Sequence, residues 1–556
     1  MKKNFYFLLF IGVLIFSLPT FGQKTVVVVE PDAGIEIGAL NKAVDAVELS
    51  GVPDNTIFEL RRDGVYLLNG TISHSGYTLH IRTEDGAGSK AVIQPSVDET
   101  GASAKQFEPS GDFILERVYI LGRDEIGGLV SQPINVLADS CRILIDDCVL
   151  DYSDQSLIRT GSSMNVIMVK NSILRNCLRP DNPSNGRIID TRGNSNDTLW
   201  ISDCTIYNNG ATQLRSDGGG VNFANFDHNT VFATSFNHNM ALDYMFKVNV
   251  TNNLFYNFLY RGNNTDHDPL FRCDSIFDNM TERLGYTNAD RFFDLSNNNW
   301  FVDDSIGHIM REYGPYYSKF YSWDTEHLDT IWYQEEKRTQ WFANDYLLEM
   351  DPESTPDMIR FIENGQVDTT DLFREELEFI NPPALNLDYW KFYTENGWGI
   401  SGMNPPNPFA DENPLVLGEV QSGAFDFGYN GNSRSATGAD DGGALGAARW
   451  GLFNYPTSTK DIRLNLNNGV STFPNPIEND LVTFKIDSRA ASTIDIRVFD
   501  LLGKELQTVN GKVHEGENLV DVNLDKITFS GIYLYKIEFE TSNGEKSVSS
   551  GKIIRK

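Results

Sequence analysis

The chain of 556 residues is short of basic side chains, with 46 lysine and arginine residues against 77 aspartate and glutamate residues and a formal net charge of −31. Binding to a phosphate backbone depends on a basic surplus that displaces counterions, so this deficit excludes a general nucleic-acid-binding protein. Cysteine is also scarce, and its five residues are too few for a disulfide framework. The apolar fraction of 40% is ordinary for a folded chain and excludes wholesale disorder.

Long apolar runs are absent except at the N-terminus, where residues 5–18 follow a short basic start. The small residues Thr20 and Gly22 precede Gln23 and complete the pattern of a cleaved export signal over residues 1–22. A membrane anchor is the alternative, but the run is shorter than the roughly 20 residues that cross a bilayer. We therefore predict an exported mature chain with no transmembrane segment.

Between residues 143 and 255, five gap-free segments share alternating apolar positions around a central polar residue. The central residues are Asp147, Asn171, Asp203, His228 and Asn252. Alternation predicts a strand with one buried face, and aspartate or asparagine at the centre favours a turn. A strand, a turn and a second strand in each repeat predict one coil of a solenoid. The fold class is therefore predicted as all-β, with a right-handed parallel β-helix over residues 58–302.

The repeat also predicts which side chains meet inside the solenoid. Ile145, Val169, Ile201 and Val250 are expected to form one buried file. Cys148 and Cys204 occupy the same position two coils apart, which places their Cα atoms about 9–10 Å from each other. A disulfide spans less than about 7 Å, so these cysteines are expected to be buried free thiols.

The segments around the solenoid have different compositions. Residues 23–57 are predicted to form an N-terminal cap, with a helix within residues 34–50 that covers the open end of the solenoid. Residues 303–451 form an aromatic-rich insertion together with the C-terminal part of the β-helix region, and residues 452–470 form a polar linker. Stacking on sugar rings is one interpretation of these aromatic residues, and packing of an irregular flap against the solenoid is the other.

Residues 471–556 contain short alternating strands separated by glycine turns, which predict a small β-sandwich. Four short motifs follow one another in this region: Pro474-Asn475-Pro476, Asp500-Leu501-Leu502-Gly503-Lys504, Ser530-Gly531-Ile532-Tyr533 and Lys552-Ile553-Ile554. Their order closely resembles the sorting domain of type IX secretion cargo. The resemblance implies recognition by an outer-membrane translocon, and a secreted or outer-membrane-associated location on a Gram-negative cell. A carbohydrate-binding sandwich is the alternative.

The repeated apolar-x-apolar-x-Asn-x-x-apolar coil resembles the pectate-lyase-like β-helix superfamily, and the similarity extends over residues 58–450. This resemblance implies a protein that acts on polysaccharides. Lyases of the superfamily typically bind an acidic sugar through Ca²⁺ and remove a proton with lysine or arginine. The superfamily also includes hydrolases and non-catalytic binders, and the fold alone does not select among them.

Arg187, Arg192, Arg215 and Lys170 are the candidate catalytic residues. Two arginines can hold uronate carboxylates by bidentate hydrogen bonds, and a basic side chain can serve as the base of a lyase. Lys170 is expected beside Asp146 on the neighbouring coil, and a plain surface ion pair is the alternative role for it.

Three carboxylates, Asp190, Asp217 and Asp243, are the candidate substrate-binding residues, and they are also the groups that a hydrolase would need as a facing pair. Asp266 and Asp268 are the candidate metal ligands, because Asp-x-Asp spacing on an extended segment suits Ca²⁺. Each of these groups has a solvated loop as its alternative.

Two functions from different classes follow. The first is a secreted or cell-surface polysaccharide-active protein, with a lyase-type enzyme acting on an acidic polysaccharide as the leading interpretation. The second is a non-catalytic glycan-binding or adhesive β-helix exported by type IX secretion. The expected partners are a polysaccharide and, through residues 471–556, the type IX translocon.

Overall fold

A computed structural model describes most of the chain, which divides into two compact units between Phe453 and Asn454. The described residues are 24–33, 36–51, 53–97, 101, 103–235, 240–258, 271–273, 276, 278–303, 305–306, 309, 361, 364–396, 403–409, 425–453, 469–473, 477, 481–488, 491–499, 504–514, 516–524, 531–541 and 546–555.

The first unit is a β-solenoid with three long sheets of parallel strands, and each coil contributes successive strands to the three sheets. Sheet 1 contains Thr25–Val29, Thr56–Leu60, Leu79–Thr83, Phe113–Glu116, Arg142–Asp146, Val166–Lys170, Asn196–Ser202, Val221–Asp227, Met245–Thr251, Phe292–Asp294 and Val367–Asp368. Sheet 2 contains Ile72–Ser75, Phe107–Ser110, Ile134–Val136, Ser156–Thr160, Arg187–Asp190, Leu214–Arg215, Met240–Ala241 and Phe271–Arg272. Sheet 3 contains Val65–Leu68, Ala91–Pro95, Val118–Leu121, Val149–Ser153, Ile173–Cys177, Thr205–Asn209, Thr230–Thr234, Leu254–Phe258, Asn298–Phe301 and Leu372–Arg374.

The predicted interior file is confirmed by the register of sheet 1. Ile145 lies opposite Val169, and Val169 lies opposite Ile201. Phe226 takes the same position on the next coil and leads to Val250. All five side chains are fully buried. The alternating apolar residues of the repeat therefore lie on one face of each strand, and this face is buried in a continuous core.

Between sheets 1 and 3 the chain bends at the five central residues of the repeat, all with φ between 49° and 61°. Aspartate and asparagine tolerate this left-handed conformation better than most side chains do. The next residue of each coil is buried, and where it is asparagine its side chain accepts a hydrogen bond from a backbone N–H of the preceding coil. Asn229 accepts from Cys204 at 2.9 Å, Asn253 from Asn229 at 2.8 Å, and Asn298 from Asn253 at 2.9 Å.

Cys148 and Cys204 are buried thiols outside any disulfide, as predicted, and so are the other three cysteines, Cys141, Cys177 and Cys273. Burial raises the pKa of Cys148, Cys177 and Cys204 to about 12. These thiols are therefore protonated at neutral pH and act as small core side chains.

Helix α1 (Ala39–Leu49) lies within the predicted helical segment, and it buries Leu40 and Val44 at the N-terminal end of the solenoid. Thr25–Val29, which precedes this helix, already forms the first strand of sheet 1. Helices α2 (Asp278–Leu284) and α3 (Leu387–Asn396) follow later in the chain. Three short 3-10 turns lie at Pro183–Asn185, Asn288–Asp290 and Arg434–Thr437.

Described residues between 375 and 453 pack on the outward face of sheet 3. Helix α3 places Trp390 against the solenoid, where its Nε1 donates a hydrogen bond to Ser235 Oγ at 2.9 Å. A small sheet of Phe379–Asn381, Asp426–Asn430 and Leu452–Phe453 packs Phe379 and Phe427 against Phe232. The described aromatic residues of this region thus pack against the solenoid, while Trp323, Trp332, Trp341 and Trp398 lie outside the described residues.

The second unit contains two antiparallel sheets around one core. Gly469–Phe473, Leu481–Ser488 and Gly516–Asn523 form the first sheet. Ser492–Phe499, Glu505–Val513, Gly531–Thr541 and Lys546–Arg555 form the second. Phe484 of the first sheet and Ile496, Ile537 and Ile553 of the second belong to the same buried cluster. The unit is therefore the small β-sandwich that the sequence predicts.

Candidate functional site

The outward face of sheet 2 has a polar file that runs across consecutive coils. Asn135 lies opposite Arg159, Arg159 opposite Asp190, and Asp190 opposite Arg215. The residues immediately before three of them, Ile158, Ile189 and Leu214, are fully buried in the core. Because side chains alternate along a strand, the polar file points away from the core.

Asp190 lies at the centre of this file and is only 2% exposed. Its Oδ2 lies 3.4 Å from Arg187 Nη1 and 3.4 Å from Arg215 Nη1, and its Oδ1 accepts the backbone N–H of Arg192 at 3.1 Å. Arg215 also pairs with Asp217 at 2.6 Å. The structure thus brings together five of the residues that the sequence singled out.

We call Arg159, Arg187, Arg192 and Arg215, arranged around Asp190, the arginine cluster. The guanidinium groups of Arg187 and Arg215 contact the carboxylates of Asp190 and Asp217, while Arg159 is the strand neighbour of Asp190 and Arg192 follows it by two residues. Four basic residues are thus grouped with two carboxylates, and the cluster carries a local positive excess on a strongly acidic protein. Arginine binds planar carboxylate and sulfate groups through paired hydrogen bonds. The local charge and the donor geometry therefore both suit an anionic ligand.

The pKa of Arg187 is lowered to about 10, first by burial and then by the positive charge of Arg215, while Asp190 opposes the shift. The nearby charge of Arg192 lowers it further. Arg187 consequently loses its proton more readily than an ordinary arginine, which is the property that a general base requires.

Arg159 is the one member of the arginine cluster that the sequence reasoning missed. Its Nε is buried and has no hydrogen-bond partner among the described residues. Aligning the sheet 2 strands, with Ser156–Thr160 above Arg187–Asp190, would have placed Arg159 beside Asp190. The repeated segments cover only strands of sheets 1 and 3, so the repeat by itself does not give the register of sheet 2.

Lys170 does not join the arginine cluster, because it lies on sheet 1. Its register neighbours are Asp146 and Ser202, as the repeat predicts. Among the described residues no carboxylate lies within 4.0 Å of its Nζ, which instead lies 5.9 Å from the ring centroid of Trp200. Asp146 accepts a hydrogen bond from Asn171 at 2.8 Å.

Asp243 lies in the turn after Met240–Ala241, one coil beyond Asp217. Its side chain is 1% exposed, and its backbone carbonyl accepts a hydrogen bond from Ser216 at 2.8 Å. Asp266 and Asp268 lie outside the described residues. Within the described ranges no group of three His, Cys, Asp or Glu side chains is placed to hold a metal ion.

Comparison with known proteins identifies the second unit. Residues 471–554 match the family model of the secretion system C-terminal sorting domain. These residues are a type IX sorting domain. The protein is therefore a cargo of type IX secretion and is secreted or displayed at the cell surface.

The structure of the sorting domain explains part of its sequence motif. Tyr533, in the Ser-Gly-Ile-Tyr motif, lies opposite Ile553 of the terminal Lys-Ile-Ile motif. Ile553 is fully buried and Tyr533 nearly so. These two motifs thus supply paired core residues of adjacent strands. The Pro-Asn-Pro motif lies outside the described residues.

One solved structure is similar to a small part of the chain. A crystal structure of dimeric latent PorU from Porphyromonas gingivalis is similar over 16% of this chain and 9% of that chain, at 20% identity and a TM-score of 0.14. No curated protein matches the chain. The resemblance of the solenoid to the pectate-lyase-like superfamily stays a prediction. Among the described residues, no helix is both long and apolar enough to span a membrane.

Proposed function

We propose that the protein acts on an acidic polysaccharide outside the cell, as a lyase whose active site is the arginine cluster. The observation that supports this proposal is the local positive excess around a buried carboxylate, on the outward face of sheet 2 in an exported and otherwise acidic protein. An acidic polymer approaches a molecule of net charge −31 favourably only where basic groups are concentrated.

In this mechanism Arg192 and Arg215 bind the carboxylate of a uronate residue. Their positive charge stabilises the negative charge that builds up on that carboxylate when the neighbouring C5–H bond breaks. Arg187, in its neutral form, accepts the C5 proton. A double bond forms between C4 and C5, the bond from C4 to the glycosidic oxygen breaks, and the departing oxygen takes a proton from water.

Asp190 is a positioning residue in this proposal. Its Oδ2 accepts hydrogen bonds from Arg187 and Arg215, and the backbone N–H of Arg192 holds its Oδ1. Both oxygens of Asp190 are already engaged, Oδ2 by two guanidinium groups and Oδ1 by a backbone N–H, which disfavours a hydrolase that uses Asp190 and Asp217 as its carboxylate pair.

The test is incubation of the full mature chain with alginate, pectate or chondroitin, with the unsaturated product followed by its ultraviolet absorbance. Arg187→Ala is expected to lower the rate at least about a hundredfold, since general base catalysis contributes that much or more. The rate of the wild type should rise with pH towards about 10, as Arg187 loses its proton. Arg179→Ala is the control, because Arg179 pairs with Asp181 outside the cluster.

The non-catalytic glycan-binding function is the second candidate, and the ion pairs that already engage Arg187 and Arg215 favour it. Binding of the same polymers without any unsaturated product would replace the lyase proposal with this one. Loss of binding in Arg215→Ala would then locate the binding site at the cluster.

A further inference from the structure

The outward face of sheet 1 is unexpectedly apolar in its central coils. Ile114, Leu144, Met168 and Trp200 follow one another in register, and all four are at least partly exposed. The water-facing side of a sheet normally has polar residues at these positions. We call Leu144, Met168, Trp200 and the adjacent Phe223 the tryptophan strip.

The indole of Trp200 is held in place by two contacts. Its Nε1 donates a hydrogen bond to Ser202 Oγ at 2.9 Å. The ring of Phe223 lies 6.0 Å from it, centroid to centroid, at an angle of 59°. In the described part of the chain no other aromatic ring contacts Trp200, whereas aromatic residues on the outer face of sheet 3 pack against Phe379 and Phe427.

Polar groups continue the line of Trp200 across the next coils. Asn225 and Asn249 follow it in register. Asn225 is 6% exposed, and its Nδ2 has no hydrogen-bond partner among the described residues. Such a group is costly to leave unsatisfied, so this amide is available to a ligand that reaches the strip.

Two lysines lie on either side of the aromatic pair. Lys170 precedes Trp200 by one coil, and Lys247 lies opposite Phe223 on the following coil. Within the described ranges neither ammonium group has a carboxylate within 4.0 Å, although acidic residues outnumber basic ones in the chain. The two lysines are three coils apart, roughly 14 Å across the sheet, and they are also offset by four residues, roughly 13 Å, along the strand direction.

From this arrangement we propose that the tryptophan strip is a second, non-catalytic binding face for acidic polysaccharide. The C–H faces of sugar rings pack on Trp200 and Phe223, because aromatic faces attract groups of partial positive charge. The amides of Asn225 and Asn249 bond sugar hydroxyl groups, and the unpaired lysines pair with carboxylate or sulfate groups. Charge complementarity selects an acidic polymer over a neutral one.

The strip lies on sheet 1 and the arginine cluster on sheet 2, so the two sites can be tested separately. The experiment measures binding of polygalacturonate and chondroitin sulfate to the full chain by calorimetry and tryptophan fluorescence, in an Arg187→Ala, Arg215→Ala background. In that background Trp200→Ala should weaken binding about tenfold, and Trp200→Phe should retain most of the affinity. Substituting Lys170 and Lys247 together should make the affinity depend less on the salt concentration.

Ile126→Ala, at an exposed apolar loop residue, is the matched control and should bind as the background does. Circular dichroism establishes that each variant is folded. Unchanged affinity of folded Trp200→Ala would overturn the proposal, as would equally tight binding of neutral dextran. Loss of all binding in the arginine background alone would also overturn it, because the strip would then not be an independent site. None of these outcomes depends on whether the protein forms an unsaturated product.

Discussion

Two buried aspartates on outward faces have different environments, and the difference separates a structural role from a functional one. Asp151 on sheet 3 is fully buried and accepts hydrogen bonds from Tyr119 at 2.5 Å, Arg175 at 2.8 Å and Asn176 at 2.8 Å. The side chain of its partner Arg175 is only 4% exposed. Asp190 has partners that remain 13% and 23% exposed, so a ligand can reach them.

Asp151→Asn should destabilise the solenoid by about 3–5 kcal/mol, because it leaves Arg175 buried without its counter-charge. Urea unfolding of the full chain, followed by circular dichroism, measures the change. Asp146→Asn is the control, since Asp146 lies on the open face of sheet 1 and its loss should cost less than about 1 kcal/mol. Equal effects of the two substitutions on the free energy of unfolding would show that the pair of Asp151 and Arg175 contributes no more than a surface ion pair does.

At the scale of the repeat element, the inward residue after each turn joins neighbouring coils. Asn253 Oδ1 accepts the N–H of Asn229, and its Nδ2 donates to the carbonyl of Phe226 at 2.9 Å. Ser172 takes the same position two coils earlier than Asn229 and accepts the N–H of Cys148 at 3.1 Å. The Ser172 hydroxyl thus accepts one N–H of the preceding coil and donates to Lys170 of its own coil, whereas the longer amide reaches two backbone groups of the preceding coil.

Asn253→Ala should destabilise the solenoid by roughly 2–5 kcal/mol, because two buried backbone groups each lose a partner worth about 1–3 kcal/mol. Asn253→Ser should recover part of this loss, as Ser172 does naturally. The measurement is the denaturant midpoint of each variant at constant slope. If Asn253→Ser were no more stable than Asn253→Ala, then Asn253 would stabilise the coil through side-chain packing and not through hydrogen bonds.

The repeat predicted the solenoid because its information is local: alternating apolar residues and a turn-forming centre recur in every coil. It also predicted the file of Asp146, Lys170 and Ser202, since register follows from spacing. The cover over sheet 3 was not predictable in detail, because contacts such as Trp390 with Ser235 join positions 155 residues apart with no shared pattern. The sequence singled out Arg187, Arg215 and Asp190, but it did not predict that both arginines contact Asp190, because the loop lengths between the strands of sheet 2 vary.

At the scale of the whole molecule, two compact units have separate tasks. The sorting domain has its own core, with Ile553 and Phe484 fully buried, and the arginine cluster and tryptophan strip lie entirely in the solenoid unit. Export information and the two proposed binding sites therefore lie in separate units of the chain, and each unit can be altered without rebuilding the other.

Deleting residues 471–556 should therefore abolish surface display while leaving the solenoid folded. The same loss is expected from Ile553→Asp, because a charge in the centre of the sandwich core is not tolerated. Lys512→Ala, at an exposed strand position, should be exported normally. The measurement is the share of the protein that added protease can digest on intact cells, with circular dichroism of the purified truncated chain as the folding check. A truncated chain that reaches the surface as well as the full chain would show that the solenoid carries export information of its own.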